Sequence, residues 1–283
     1  MTPADTPSSG HPPVEADFEG RWALILGASS GFGAATARHL AHRGLNVFGV
    51  HLDRRATMAN VEAIVADVEA AGRETFFVNI NAADDALREK ALDDFVAHLS
   101  ERGEDPAGSV RVLLHSLAFG TLKPYVDDDG QPSLTRKNLE MTLDVMAHSL
   151  VYWTQAAVQH GLLGEGSSIF GMTSSGGTRV IPTYGAVSAA KAALESHIRQ
   201  IAFELGPRGI RANAIRAGVT DTPALRKIPG NDRLLDEAAR KNPHRRLTTP
   251  DDVAALIGVL AGPAGGFVSG DVVACDGGED IVG

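Results

Sequence analysis

The sequence contains one cysteine and no hydrophobic run long enough to cross a membrane. A single thiol, Cys275, excludes an intrachain disulfide and a thiolate zinc cluster, and its apolar surroundings favour a buried packing role. No window approaches the roughly 18 continuous apolar residues of a membrane helix. The first residues also lack the basic start and apolar stretch of a secretory signal. We therefore expect a soluble, cytoplasmic protein without a membrane partner.

Basic residues are also few. The chain has 26 Lys and Arg against 35 Asp and Glu, which gives a formal net charge of −9. This balance argues against nucleic acid as the main partner. The histidines at 148, 160 and 197 show no metal-ligand spacing, so no metal site is predicted.

The distribution of apolar residues predicts one domain preceded by a tail. Hydrophobic residues make up 43% of the 283 residues, and the apolar runs are spread too evenly to suggest a second domain. Residues 1–17 are rich in Pro, Ser, Thr and acidic side chains and lack an apolar run. We expect this tail to be disordered and residues 18–283 to form the single domain.

Short β-rich segments alternate with longer segments of helical periodicity. The predicted strands are 22–26, 47–50, 75–78, 110–114, 168–170, 211–215 and 272–275, and the helical segments run from about 31–43, 57–71, 84–99, 135–160, 184–205 and 250–260. Right-handed crossovers between these strands predict an α/β, doubly wound Rossmann fold with a seven-stranded parallel sheet and helices on both faces. Ligands of such sheets bind beyond the carboxyl ends of the strands.

A glycine-rich turn follows the first predicted strand. Its glycines lead into the next helix, so that backbone amides and the helix amino end can meet a pyrophosphate. The alternative is a turn of the same shape without a ligand. With three residues between the first two glycines, the turn resembles the loop of the short-chain dehydrogenase/reductase family. That resemblance implies dinucleotide binding by Gly27, Ser29, Ser30, Gly31, Phe32 and Gly33.

The second strand ends in a segment that bears on cofactor choice. Counting from the glycine turn, the aspartate of NAD-preferring family members falls on His51, and Asp53 lies two residues further on. Arg54 and Arg55 can pair with a 2′-phosphate, which favours NADPH over NADH; solvated arginines at a helix start are the alternative. Asn81, after the third strand, resembles the family residue that contacts adenine, or else caps the next helix.

Tyr184 and Lys191 are separated by six residues. On a helix, seven steps of 100° fall about 20° short of two turns, so that the phenol and the ammonium share one face. A cation there would favour the tyrosinate and make the phenol a better proton donor or acceptor near neutral pH. A packed aromatic beside an exposed helix cation is the alternative.

The spacing of this pair, together with the segment Leu114–Phe119, resembles the enoyl-acyl-carrier-protein reductases. The resemblance extends from about Phe18 to Gly278. Most members of the wider family place tyrosine four residues before lysine, where this chain has Val187. Three residues of helix correspond to about 4.5 Å of rise. In a ketone the hydride adds to the carbon that bears the oxygen, whereas in an enoyl thioester it adds to the β-carbon, which lies two bonds further from the oxygen. A rise of about 4.5 Å is on the scale of this difference. The resemblance implies that the tyrosine stabilises an enolate and that the lysine holds the nicotinamide ribose.

Ser174 lies ten residues before the tyrosine, where the commonest enoyl reductases carry a second tyrosine. Together with the short glycine loop and the segment Thr220–Leu225, it resembles the divergent NADPH-dependent branch called type III. Ser174 either orients the substrate carbonyl or caps a loop. Met146 replaces the asparagine that ketone reducers carry, which disfavours a ketone substrate because no proton relay can pass through that side chain.

Further cofactor and substrate contacts are implied near the fourth and sixth strands. The resemblance places Ser116, Gly218, Val219 and Thr222 at the cofactor, with Thr222 reaching its carboxamide or pyrophosphate. Residues 223–246 are interpreted as a mobile lid whose apolar side covers an acyl chain. The basic residues of this lid either meet an acidic carrier protein or form a solvated helix face.

The sequence therefore predicts NADPH-dependent reduction of an enoyl thioester, most naturally enoyl-acyl carrier protein in fatty acid or polyketide synthesis. A carbonyl or alcohol oxidoreductase of the same fold and a non-catalytic dinucleotide-binding sensor are the alternatives. The helices from about Thr135 and from Tyr184 are apolar on more than one face, which predicts a homodimer or homotetramer.

Overall fold

The computed structural model of the protein describes residues 18–126, 130, 132–228 and 230–282. The predicted tail, residues 1–17, lies outside the described residues. Position 229 of the predicted lid also lies outside them.

Seven parallel strands form a single sheet. They are β1 Trp22–Leu26, β2 Asn46–His51, β3 Thr75–Asn79, β4 Val110–His115, β5 Ser168–Ser174, β6 Arg211–Ala217 and β7 Val272–Cys275. Their spatial order is β3-β2-β1-β4-β5-β6-β7, and each neighbouring pair is parallel. The predicted fold class is therefore confirmed. The strand order reverses between β1 and β4, which opens a crevice at their carboxyl ends.

Helices cover both faces of the sheet. Those of the described residues are α1 Gly31–His42, α2 Met58–Ala70, α3 Asp85–Glu101, α4 Arg136–Leu143, α5 Ser149–Gln159, α6 Gly185–Leu205, α7 Asn231–Lys241 and α8 Pro250–Ala261. None of these helices combines the length and the apolar character needed to cross a membrane.

Two hydrophobic cores lie on opposite faces of the sheet. Trp22 and Leu24 of β1 belong to the core under α3, α5 and α6, whereas Ala23 and Ile25 belong to the core under α1, α2 and α8. This alternation follows from the period of two along a strand. Burial on both faces explains why the strands are continuous apolar runs in the sequence.

The predicted helix 135–160 is not regular α-helix throughout. A π-helical turn, Asp144–His148, separates α4 from α5. Such turns are rare and often occur at functional sites. Met146 lies in this turn and is buried against the catalytic side of the sheet. The interruption therefore falls at the position that the sequence singles out as the replaced asparagine.

Candidate active site

A cavity of about 380 Å³ lies beyond the carboxyl ends of the central strands. Tyr184, Lys191 and Ser174 all line it. Most of its other walls are apolar and come from the loops after β4 and β5, from the π-helical turn, from α6 and from the predicted lid. They include Leu117, Leu122, Met146, Ile181, Val187, Leu225, Ile228 and Leu234. The structure thus brings the three residues predicted to be catalytic together in one largely apolar space.

The phenol of Tyr184 is held by a closely packed loop. Its hydroxyl lies 3.5 Å from the Ser174 hydroxyl. A Cβ atom on Gly176 would lie only 2.6 Å from the tyrosine ring, so the backbone can approach the ring only because this residue is glycine. Thr183, directly before the tyrosine, has a φ of 62°, which is strained for a β-branched residue. The position of the tyrosine ring therefore depends on a strained backbone conformation at the residue before it.

The expectation that a neighbouring cation favours the tyrosinate is wrong for Tyr184. Burial raises the pKa of the phenol, and the hydrogen bond with Ser174 offsets only part of this rise. The Lys191 ammonium is not among the causes of this shift; its Nζ donates to the Met172 carbonyl oxygen of β5 at 2.7 Å. The phenol therefore stays protonated at neutral pH, as a hydrogen-bond donor must.

Lys191 is buried on α6 beneath the cavity. Burial lowers the pKa of its ammonium to about 8, and the Glu195 carboxylate opposes this shift. Glu195 in turn accepts a hydrogen bond from the Thr173 hydroxyl at 2.6 Å. The lysine is therefore largely charged at neutral pH and loses its charge as the pH rises through about 8.

The glycine loop has the shape that a pyrophosphate requires. Gly27 and Gly31 have φ angles of 90° and 53°, and a Cβ atom on Gly33 would lie 2.1 Å from the Gly27 carbonyl oxygen. Helix α1 begins at Gly31, and the side chain of its N-cap residue, Ser30, makes no capping bond. The first amides of the helix are therefore left to a ligand, and this donor set fits an anionic group. Phe32, from the same loop, lines the cavity.

Asp53 connects the tip of β2 to the glycine loop. His51 is buried, and its Nδ1 lies 3.1 Å from the Asp53 carboxylate. Burial raises the pKa of Asp53, but hydrogen bonds from Thr57, Ser29 and His51 outweigh it and lower the pKa overall. A carboxylate beside Ser29 can accept hydrogen bonds from a ribose diol.

The two residues predicted to bind a 2′-phosphate, Arg54 and Arg55, lie at the surface, unlike the half-buried Asp53. Arg54 and Arg55 are exposed and have no ion-pair partner within the described parts of the chain. They follow Asp53 directly and begin the turn that leads into α2. Both guanidinium groups are therefore available to a ligand at the end of β2.

Asn81 does not cap the next helix. Its Oδ1 accepts a hydrogen bond from the Ala83 amide at 3.1 Å, whereas Asp84 caps α3 by accepting from the Leu87 amide at 3.0 Å. The capping alternative for Asn81 is therefore wrong. Its exposed position after β3 leaves the adenine contact as a prediction.

The loops after β4 and β6 close on the glycine loop. The carbonyl oxygen of Ser116 lies 2.6 Å from the position of a Cβ atom on Gly27. Thr222 is buried and contacts the α1 start, since its Cγ2 lies 3.6 Å from the Cβ position of Gly31. Gly218 belongs to the cavity wall. These predicted cofactor residues therefore surround one crevice.

A carboxyl-terminal turn, Glu279–Ile281, contributes contacts that the sequence did not reveal. The Val219 amide donates to the Glu279 carboxylate at 3.1 Å. Burial raises the pKa of this carboxyl. Asp280 pairs with Arg179 at 2.8 Å and with Arg216 at 3.5 Å. The turn therefore ties the loop after β5 to the loop after β6. No local pattern could have indicated contacts between segments so distant in sequence.

The predicted lid contains helix α7. Its Leu234 and Ala238 line the cavity together with Glu237, whose carboxylate pairs with Arg233 at 2.7 Å. The lid therefore contributes both apolar and charged side chains to the cavity wall. Whether this segment moves stays a prediction.

The reversed strand order, the glycine loop and the tyrosine-lysine cavity define a short-chain dehydrogenase/reductase, a class of dinucleotide-binding oxidoreductases. A family model described as enoyl-(acyl carrier protein) reductase matches residues 27–279. The enoyl-acyl-carrier-protein reductase (NADH) FabI of Nostoc sp. is 29% identical over 271 residues, covering 94% of this chain and 99% of that protein. The chain therefore belongs to the enoyl-(acyl carrier protein) reductase family.

Two further similar proteins have names other than enoyl-acyl-carrier-protein reductase. The 1-cyclohexenylcarbonyl-CoA reductase of Streptomyces collinus is 32% identical over 265 residues, covering 92% of this chain and 86% of that protein. The crystal structure of a short-chain dehydrogenase from Burkholderia cenocepacia in complex with NADP is similar with a TM-score of 0.77 at 30% identity, covering 93% of this chain and 99% of the other.

Proposed function

We propose that this reductase uses NADPH to reduce the carbon-carbon double bond of an enoyl thioester, most naturally enoyl-acyl carrier protein in fatty acid or polyketide synthesis. One observation carries the proposal. Tyr184 lies in an apolar cavity with Lys191, at a position three residues upstream of the tyrosine in ketone-reducing relatives. Three residues of helix correspond to about 4.5 Å, which is on the scale of the displacement that an enoyl thioester requires.

When bound, the reduced nicotinamide supplies a hydride to the β-carbon. Negative charge then develops on the thioester oxygen, and Tyr184 donates a hydrogen bond to it. The raised pKa of the phenol keeps its proton in place for this task. Ser174, at 3.5 Å from the phenol oxygen, orients the carbonyl. Lys191 holds the ribose and keeps the local field positive, and solvent protonates the α-carbon.

The substrate's acyl chain fits the apolar walls of the cavity. Leu225, Ile228 and Leu234 contribute the lid side of this lining. Lys227 and Lys241 also reach the cavity from the lid. Their ammonium groups are suited to the phosphate of a pantetheine arm, which both a carrier protein and coenzyme A possess.

A cyclic enoyl thioester is a second candidate substrate. Ser174 lines the cavity where the commonest enoyl reductases carry a tyrosine, and a serine side chain occupies less volume than a tyrosine there. The name of the Streptomyces collinus relative specifies a cyclohexenyl thioester. Comparison of crotonyl with 1-cyclohexenylcarbonyl thioester would rank the two substrates.

The proposed reaction is tested by following NADPH oxidation with crotonyl thioester and with acetoacetyl thioester, each on coenzyme A and on acyl carrier protein. We expect the crotonyl substrate to react faster by roughly a hundredfold or more, because the ketone lacks a correctly placed proton donor. Turnover of the acetoacetyl substrate alone would overturn the proposal. NADPH binding without turnover of either substrate would favour the alternative that the protein is a non-catalytic dinucleotide-binding sensor.

The preference for NADPH is tested at the end of β2. Arg54→Ala and Arg55→Ala should each raise the dissociation constant of NADPH by roughly tenfold and leave that of NADH unchanged, because only NADPH carries the 2′-phosphate. Asp53→Asn is the matched control. It removes a carboxylate that repels phosphate and should strengthen NADPH binding. An equal rise in the dissociation constants of NADPH and NADH in the arginine variants would contradict the assignment of these arginines to the 2′-phosphate.

A further inference from the structure

Glu279 places a carboxylate in the wall of the catalytic cavity. Its two oxygens lie 3.1 and 3.3 Å from the Val219 amide nitrogen, and both residues line the cavity. The same carboxylate lies against Gly218, where a Cβ atom would be 3.0 Å from Oε2. The Val219 amide is therefore occupied by a side chain of the protein itself.

The loop after β6 runs along the path that a dinucleotide would follow. At one end of this loop, the Thr222 Cγ2 lies 3.6 Å from the Cβ position of Gly31, at the start of α1. That helix start fits a pyrophosphate. Three residues earlier, Val219 lines the cavity that also contains Tyr184 and Lys191. A dinucleotide with its pyrophosphate at α1 and its reactive ring in the cavity would therefore pass the Val219 amide.

The chemistry of the nicotinamide makes this amide a contested donor. The ring carries one polar substituent, a primary carboxamide, whose carbonyl oxygen accepts hydrogen bonds. A carboxamide has the same planar shape as a carboxylate and nearly the same size. The Val219 backbone has a single N–H donor. The Glu279 carboxylate and the carboxamide of a bound cofactor therefore cannot both be well satisfied by it.

The ionised carboxylate of Glu279 is held weakly in this position. Burial raises its pKa, the bond from the Val219 amide opposes this rise, and the negative charges of Asp276 and Asp280 add to it. The Lys241 ammonium offsets only part of the effect. Because the net result is a raised pKa, the charged form is less stable here than in water. The side chain can therefore be displaced at little cost.

The turn that carries Glu279 is anchored by other groups. Asp280 pairs with Arg179 at 2.8 Å and with Arg216 at 3.5 Å. The Glu279 amide donates to the Asp276 carbonyl oxygen at 3.1 Å, and the Asp280 amide donates to the Asp276 carboxylate at 3.3 Å. The backbone of the turn can therefore stay in place while the Glu279 side chain rotates away from the cavity wall.

We propose that Glu279 competes with the nicotinamide carboxamide of the cofactor for the Val219 amide, so that the cofactor must displace this carboxylate to bind. The proposal rests on the proposed function only in that a nicotinamide dinucleotide binds in the cavity. It is independent of the substrate and of the choice between NADPH and NADH. Competition lowers the apparent affinity for the cofactor, because only molecules with a free amide are competent to bind the carboxamide.

The first test compares cofactor binding by Glu279→Ala and by the wild-type protein, measured by calorimetry. Removal of the competing carboxylate should lower the dissociation constants of NADPH and NADH by roughly three- to tenfold. ADP-ribose has the pyrophosphate but no nicotinamide, so it should bind both proteins equally. Glu204→Ala is the control. It removes an exposed carboxylate on α6 that accepts from Gln200, and it should change none of these constants.

Weaker or unchanged binding of NADPH and NADH by Glu279→Ala would overturn the proposal, because the carboxylate would then support the site or leave it unaffected. An equal change for ADP-ribose would also overturn it, since the effect would not come from the nicotinamide.

NMR of the wild-type protein gives a result that does not depend on whether a variant folds. The amide resonance of Val219 should follow the titration of the Glu279 carboxylate, both without added ligand and with saturating ADP-ribose. With saturating NADPH or NADH it should no longer do so. An amide resonance that follows this titration equally with and without the dinucleotides would contradict displacement. These readouts need no substrate, so they decide the role of Glu279 independently of the enoyl assay.

Discussion

Tyr184→Phe is expected to lower kcat for crotonyl thioester by roughly a hundred- to a thousandfold. The substitution removes a single hydrogen-bond donor to the oxygen that becomes negative, and it keeps the ring that packs against Gly176. The dissociation constant of NADPH and the melting temperature should therefore stay close to the wild-type values. Stopped-flow turnover, fluorescence titration and thermal unfolding measure the three quantities separately.

The control for this experiment is the same change at a distant tyrosine. Tyr152 on α5 packs under the Arg88 guanidinium, 5.6 Å from the ring centroid, and does not line the cavity. Tyr152→Phe should leave kcat unchanged. An unchanged rate in Tyr184→Phe would remove the catalytic assignment. A loss of the same size in both variants would point to a general structural effect.

Lys191→Met is expected to abolish measurable reduction while making the folded protein more stable at neutral pH. Without the ammonium, the ribose loses its anchor and the enolate loses a nearby positive charge, so we expect a loss of roughly a thousandfold or more. Methionine fills a similar volume and needs no hydration. Relief from burying a charge should raise the free energy of unfolding by about 1–3 kcal/mol.

This gain in stability should depend on pH. Burial lowers the pKa of Lys191 to about 8 in the folded protein, from its ordinary value of 10.5. Between these values the unfolded chain binds more protons, so wild-type stability rises with pH as the buried charge is lost. The advantage of the methionine variant should therefore be full below about pH 8 and shrink toward pH 10. Urea denaturation at both ends of this window measures it.

An exposed lysine provides the comparison. Lys90 on α3 forms an ion pair with Asp94 at 2.6 Å on the protein surface. Lys90→Met should change the free energy of unfolding by less than about 0.5 kcal/mol and leave turnover unaffected. A methionine variant at position 191 that is less stable than wild type at neutral pH would contradict the proposed cost of burying this charge.

Apolar runs located all seven strands, but not their ends. The predicted strands stop at Val50, Val78 and Leu114, whereas β2, β3 and β4 continue through His51, Asn79 and His115. Strand pairing uses backbone groups, so a polar residue can extend a strand without changing its hydrophobic pattern. The π-helical turn could not be predicted from the sequence, because Val145 and Met146 continue the apolar pattern of the helix through the turn.

The residues of the cavity could be chosen from the sequence, but their electrostatics could not. Helical spacing correctly brought Tyr184 and Lys191 to one cavity. The pKa values depend on burial and on the Met172 carbonyl, which is far from the lysine in sequence. The link between Asp53 and Ser29 and the contact of Glu279 with the Val219 amide likewise arise only when separate loops meet.

The extra winding between α4 and α5 makes segment length itself a constraint. Because the extra winding absorbs one residue, regular α-helical winding of the same Asp144–His148 residues would rotate every later side chain of α5 by about 100°. Ser149 would turn away from His115, and the indole of Trp153 would leave the Ala82 carbonyl to which it now donates at 2.8 Å. Substitutions that force regular α-helical winding on this segment should therefore be tolerated less well than deletion of one of its residues, which removes the extra winding and leaves the α5 side chains in place.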